Sequence, residues 1–322
     1  MRELLNSYGR RREPCLFVID FENRFPFVCD LERAAAEGVL YSIRGSGNAP
    51  PPEILGKPVK FEKRPVSLET YSRSFFHIKD ELRKGNTYLV NLTFPTPVET
   101  NLTLREMFDH SRAPYKLFFK NRFVVFSPEE FVTVRGTEIV TRPMKGTIDA
   151  SLPRAAERVL ADEKEKAEHV TVVDLLRNDL GMVAGRVRVR RWRYIDEVRT
   201  QAGRLLQVST EIAGQLDPAW RDRLGDMLSL LLPAGSVTGA PKAKTVEIIK
   251  RAEPYERGYY TGIFGLFDGS DLSSGVMIRY IERDAAGGLV YKSGGGITID
   301  SDPVAEYREM VDKVYVPIAG DD

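Results

Sequence analysis

Two glutamate pairs with the same spacing stand far apart in this 322-residue chain. Glu165 and Glu168 lie in a stretch reading EKAEH, and Glu306 and Glu309 in one reading EYREM. Both stretches have helical composition, and residues three apart share a helix face. Each helix therefore offers two carboxylates on one side. If the two faces oppose, four carboxylates converge, and such crowding is costly without a cation among them. Hard oxygen donors with no histidine or cysteine ligand set suit Mg²⁺. An ordinary reading stands beside this one. Acidic side chains favour the first turns of helices, Glu306 follows a cap at Asp302-Pro303, and Lys164 precedes Glu168 by four residues.

A lysine raises a second question. The heptapeptide TRPMKGT, 141–147, sets Lys145 between Pro-Met and Gly-Thr after the apolar run EIV. Pro143 and Gly146 are turn residues, so a solvated turn is one reading. Two Gly-rich segments, PAGSVTGAPK and SGGGITIDSDP, precede helices. Exposed backbone N–H groups in such loops can hold an anion. Neither spacing is a Walker or dinucleotide fingerprint, so a carboxylate suits them better than a nucleotide, with a plain turn as the alternative.

The elements that must position these residues can be read from periodicity. Short apolar runs in 14–43 predict strands, and GSGNAPPPE at 45–53 a loop or boundary. Ser67 caps a predicted helix running to Gly85, followed by the strand TYLVNLTF and a helix near 103–110. KLFFK and RFVVF pair as strands, and FVTVRG and TEIVTRP lead to the lysine heptapeptide. One long amphipathic helix is expected from about Ala155 to Leu180, then strands through 185–212. DRLGDMLSLL and KAKTVEIIKRAE read as helices, TGIFGLF, SGVMIRYIE and GLVYKSGGG as a strand meander, and a helix starts at Pro303. Strands come in runs without a regular βαβ beat. That predicts an α+β fold with large antiparallel sheets.

Composition excludes several classes. Hydrophobic residues at 42% and charged residues at 29% give a large core and argue against disorder. A net charge of +1 leaves no basic footprint for nucleic acid, and the run RVRVRRWR, Arg186–Arg193, reads as a strand with one solvated face. Cys15 and Cys29 make no disulfide framework, and His77, His110 and His169 lack zinc spacing. The start MRELLNSYGRRRE has no apolar signal segment, and no run reaches the roughly 18 apolar residues of a membrane span. The expectation is a soluble, cytoplasmic protein with no membrane contact.

The segments SPEEF, TRPMKGT, EKAEHVTVVDLLRNDLG, PAGSVTGAPK, RGYYTG, MIRY, SGGGI and DSDPVAEYRE occur in that order. This ordered set resembles the chorismate-utilising enzymes: anthranilate and aminodeoxychorismate synthase component I, and the isochorismate and salicylate synthases. The likeness covers roughly residues 67–315. It implies an α+β sandwich of two related halves with the active site between them. A catalytic unit at 67–322 would carry a shortened N-terminal segment, 1–66. The resemblance makes Glu168 and Glu309 direct Mg²⁺ ligands, with Glu165 and Glu306 holding the metal's waters, and the metal gripping the ring carboxylate of chorismate. Backbone at Gly146, Gly294 and Gly296, with Thr147, would bind that same carboxylate. Arg279 and Tyr260 would hold the enolpyruvyl carboxylate, Lys242 would also serve substrate binding, and Glu129 would protonate the departing C4 hydroxyl.

Within the family, lysine before Gly-Thr marks the aminodeoxychorismate synthases, where other members have alanine. The resemblance thus implies that Lys145 attacks C2 of the ring, after which ammonia takes C4 and expels the lysine. The product feeds 4-aminobenzoate and folate synthesis. Such a lysine must be neutral. That requires lowering its value of about 10.4 by roughly three units, or about 4 kcal/mol, with Mg²⁺ and desolvation as sources. Leu89 stands where water-adding members have a lysine base and amine-forming members usually glutamine. Leu206 stands where many have histidine. Ammonia would come from a separate glutamine amidotransferase subunit. The alternatives are anthranilate synthase component I and a non-catalytic chorismate-binding partner.

Overall fold

The computed structural model describes residues 1–200 and 203–318, so residues 201–202 within the 185–212 strand region and the last four residues of 67–322 lie outside it. Two nine-stranded antiparallel sheets dominate. The first runs Met144–Asp149, Gly203–Gln215, Glu138–Thr141, Glu130–Arg135, Leu272–Val276, Ile263–Phe267, Cys15–Ile19, Phe27–Asp30, with Gly185–Thr200 paired on Gly203–Gln215. The second runs Gly239–Ala240, Leu89–Thr100, Leu289–Ile297, Tyr280–Arg283, Phe123–Ser127, Tyr115–Phe119, Val39–Ile43, Ser46–Gly47, with Phe61–Lys63 paired on Leu89–Thr100. The α+β class and the large antiparallel sheets expected from the sequence are present.

Side-chain alternation sorts the core into layers. Leu16 and Val18 turn inward and join Leu117, Phe119, Phe123 and Val125 of the other sheet. The intervening Cys15, Phe17 and Ile19 face outward, under the helices Arg2–Arg11, Glu163–Gly181 and Leu224–Leu231. The second sheet shows the same period: Val124 and Phe126 turn out beneath Leu104–His110. Val90, Leu92 and Phe94 turn out beneath Leu68–Arg83, Lys242–Ala252 and Pro303–Asp312. The result is a sheet-on-sheet sandwich with helices outside. Strands of 1–66 pair in both sheets: Cys15–Ile19 on Ile263–Phe267, and Val39–Ile43 on Tyr115–Phe119.

Three differences from the sequence reading bear on the site. The long helix expected over 155–180 is two helices, Ala155–Ala161 and Glu163–Gly181. Asp162 adopts extended backbone, and its carboxylate accepts the Glu165 N–H at 3.0 Å, so a cap interrupts what periodicity joined. The run SGVMIRYIE is also divided. Leu272–Val276 belongs to the first sheet and Tyr280–Arg283 to the second, and Arg279 crosses between them at φ 51°. The heptapeptide is not a solvated turn: Met144–Asp149 is a strand with a register shift between Met144 and Thr147. Arg186, Arg188 and Arg190 are exposed on a strand, as the alternation predicts. Among the described residues no helix is long and apolar enough to cross a membrane.

Candidate active site

Lys145 and Glu129 come from neighbouring motifs and face one cavity of about 510 Å³. Their backbones are pinned from behind. Glu130, next to Glu129, is buried and accepts from Arg142 Nη1 at 2.8 Å, Arg44 Nη1 at 2.6 Å and Thr133 Oγ1 at 2.7 Å. Arg142 belongs to the lysine heptapeptide and also donates to Glu211 at 3.0 Å. Glu129, the residue just before the strand Glu130–Arg135, lines the cavity, and Glu130 does not. The bulge beyond Met144, with Gly146 at φ 84°, presents Lys145 to the same space.

Glu129 accepts a short hydrogen bond from Ser236 Oγ at Oε1, and its backbone N–H donates to Ser127 Oγ at 3.1 Å. It is part-buried and lines the cavity. Burial raises its pKa above the usual carboxyl range, against the opposing pull of Ser236, Lys145, Lys313 and Arg279. A carboxyl held this way keeps its proton to higher pH, as a general acid must.

Lys145 Nζ lies 3.2 Å from Glu168 Oε2. Burial acts to lower its pKa, but the carboxylates of Glu168, Glu309 and Glu165 outweigh that and hold it above the ordinary lysine value. The sequence reading required a lowered value. The difference has a plain cause: three carboxylates stand around the amine and stabilise its charged form. Glu165 is raised by burial and by Glu168 beside it, so like charges are crowded here.

The two glutamate pairs stand on separate helices, one packed on each sheet. Glu165, Glu168 and Glu309 line the cavity. Buried Glu306 lies behind Gly295: a Cβ added there would stand 3.5 Å from Glu306 Oε2 and 3.6 Å from Glu309 Oε1. The donor set is all oxygen, which fits a hard divalent ion in chemistry. The donors are not gathered into a cage, since among the described residues no three acidic, imidazole or thiol groups are spaced to hold a metal.

Gly146, Thr147, Gly294, Gly296, Tyr260 and Arg279 all line the cavity. Arg279 Nη1 donates to the Lys313 carbonyl at 3.2 Å, and its guanidinium lies 5.1 Å from the Tyr315 ring centroid. Leu89 also lines the wall, its Cδ1 3.1 Å and Lys145 Nζ 3.5 Å from where a Cβ on Gly296 would be.

Lys242 does not line the cavity: its ammonium meets Asp179 Oδ1 at 2.8 Å and the Leu231 carbonyl at 2.9 Å. The cavity side chain in Leu206-Gln207-Val208-Ser209 is Gln207, which pairs across the ladder with Thr147. Leu206 pairs with Ile148, and a shift of one residue exchanges the faces of a strand. Sequence reasoning missed Lys313, Ser236 and Asn91 on the cavity wall. Lys313 donates to Glu309 Oε1 at 2.5 Å and to the Gly294 carbonyl at 2.9 Å. Its place one helical turn beyond Glu309 was the available signal.

Comparison with known proteins decides the family. Residues 28–319 match the family described as chorismate binding enzyme. The chain belongs to the chorismate binding enzyme family. It is 51% identical over 314 residues to a PabA-like protein of Pasteurella multocida, covering 97% of each chain. It is 34% identical over 270 residues to aminodeoxychorismate synthase component 1 of Bacillus subtilis, covering 78% of this chain and 55% of that one. Anthranilate synthase component 1 of Archaeoglobus fulgidus is 32% identical over 310 residues, with 93% and 69% covered. The same fold occurs in MenF, the menaquinone-specific isochorismate synthase of Escherichia coli, at TM-score 0.72 and 17% identity, covering 96% of this chain and 79% of MenF. Family members thus include two kinds of amine-forming relative at similar distance, and the cavity contents must discriminate between them.

Proposed function

We propose that the protein aminates chorismate at C4, giving 4-amino-4-deoxychorismate through Lys145. The carrying observation is that the Lys145 amine and the Glu129 carboxyl share one cavity, in a chain of a chorismate binding family. Lys145 Nζ forms a bond to C2 while the C4–oxygen bond breaks, and Glu129 gives its proton to the leaving hydroxyl, which departs as water. Ammonia then bonds to C4, the C2–nitrogen bond breaks, and the lysine is restored. Arg279 and Tyr260 hold the enolpyruvyl carboxylate, and the backbone around Gly146, Thr147, Gly294 and Gly296 receives the ring carboxylate. Leu89 and Gln207 offer no base to activate water, which favours amination over hydration.

Glu165, Glu168, Glu306 and Glu309 would hold Mg²⁺, which supplies a positive centre for the ring carboxylate and offsets the acid charge that keeps Lys145 protonated. Ammonia would come from a separate glutamine amidotransferase subunit, in the cytoplasm, for 4-aminobenzoate and folate synthesis. The test is product analysis with chorismate, Mg²⁺ and ammonium chloride. The expected product yields 4-aminobenzoate only after a lyase is added. Fluorescent anthranilate as the main product would overturn the assignment in favour of the tryptophan-pathway reaction, and no turnover with retained chorismate binding would favour a binding partner.

A further inference from the structure

The turn Gly235–Val237 carries Ser236, and it is held from several directions. Asp179, near the end of the helix Glu163–Gly181, packs its carboxylate against Gly235, where an added Cβ would stand 2.6 Å from Oδ2. Lys242, at the start of the helix Lys242–Ala252, closes on Asp179 Oδ1 at 2.8 Å and on the Leu231 carbonyl at 2.9 Å. Buried Arg257 Nη1 donates to the Val237 carbonyl at 2.7 Å, and the Asn91 N–H donates to the Thr238 carbonyl at 2.9 Å. Nothing in this set touches the cavity except through the turn itself and Asn91. Both Asp179 and Lys242 are nearly buried, with side chains 8% and 16% exposed, so neither serves as a solvated surface charge.

We infer that the Asp179–Lys242 pair is a positioning device, fixing the turn so that Ser236 holds Glu129 in the orientation to give up its proton. The Ser236 hydroxyl occupies Oε1 of Glu129, which leaves Oε2 to carry the transferable proton. Without the clamp the turn loses its anchor at Gly235, and the carboxyl is free to rotate. Proton transfer depends steeply on such alignment. The inference rests on reading Glu129 as the proton donor. It gives Lys242 a role at one remove from substrate, acting through Ser236.

The test uses the full chain with Ser236→Ala, Asp179→Asn, Lys242→Met and Lys242→Arg. The Glu129 carboxyl is followed by ¹³C NMR of glutamate-labelled protein, its signal assigned by loss in Glu129→Gln. The charged groups facing Glu129 are Lys145, Lys313 and Arg279, and all remain in each variant. Ser236 donates to the carboxylate and so favours its charged form; losing that bond should move the Glu129 titration upward by about one pH unit. Asp179→Asn and Lys242→Met should show the same upward shift, with kcat about tenfold lower and the chorismate KM within twofold. Lys242→Arg should restore both towards wild type. Should Asp179→Asn not fold, an Asp179→Leu/Lys242→Met double variant, which leaves no charge buried alone, carries the same measurement. A shift in Ser236→Ala with none in the clamp variants would overturn the inference. Failure of the wild type to aminate chorismate would instead remove the activity reading, while the NMR titration still decides the clamp.

Discussion

At the scale of single residues, the proposed reaction rests on Lys145 and Glu129, which make opposite demands on charge. Lys145→Ala should lower amination by at least about 10³-fold while chorismate still binds, checked by product assay and by titration with chorismate. Unchanged turnover would refute the nucleophile. Glu129→Gln should lower kcat about 10²–10⁴-fold and abolish any alkaline limb that reports the carboxyl. The same variant has a stability signature. Burial raises the folded-state value of Glu129 above that of the unfolded chain. Such a group contributes most below the unfolded value, near pH 4, and that contribution is lost as pH rises through the folded value. Glu129→Gln should therefore be more stable than wild type at pH 8, with the difference vanishing near pH 4, by denaturant titration at both values. A variant less stable at pH 8 would show that the acid is not held under electrostatic cost. Lys145 was legible in the sequence as a residue, but its charge was not. The sequence does not display how many carboxylates would surround it before a cation arrives.

Secondary-structure elements decide whether those residues meet. The strand Met144–Asp149 would place alternate residues on alternate faces, and the bulge past Met144 breaks that rule to aim Lys145 at the cavity. Gly146 makes the bulge possible at φ 84°, where a Cβ would also come 3.3 Å from Val159 Cγ2. Gly146→Ala should cost about 1–2 kcal/mol and lower turnover more than tenfold in a protein that still folds, read by denaturation and by initial rate. Wild-type turnover in that variant would mean the bulge does not aim the amine. Periodicity located this segment but could not see the bulge, because a single extra residue leaves the composition unchanged. The break at Asp162 escaped for a related reason: Ala, Glu and Leu continue on both sides of it, and only the cap marks it. Caps preceded by non-helical sequence were readable, as at Ser67, whose side chain accepts the Thr70 N–H, and at Asp302 before Pro303. The crossing at Arg279 was hidden because SGVMIRYIE reads as one strand, and a change of sheet has no local signature.

For the whole molecule, the two glutamate pairs matter because they sit on different halves of the sandwich. The helix Glu163–Gly181 packs on the outer face of the first sheet, and Pro303–Asp312 on that of the second. A ligand held by both helices, and by Thr147 of one sheet and Gly294 of the other, ties the halves together. Binding only to the folded state stabilises by about 2.7 kcal/mol at a hundredfold excess over Kd. For a chain of this size that is a rise in Tm of about 4 °C. Mg²⁺ with chorismate should produce such a rise, and a chelator should remove both the metal-dependent part and all turnover. Glu168→Gln and Glu309→Gln should each abolish that metal-dependent part, although they belong to different sheets. The double variant should lose little more than either single one, because residues acting on one ligand are not additive. If either single variant kept the full metal-dependent rise, the two pairs would not share a cation, and the helices would be acidic for the ordinary reason that their first turns favour negative charge.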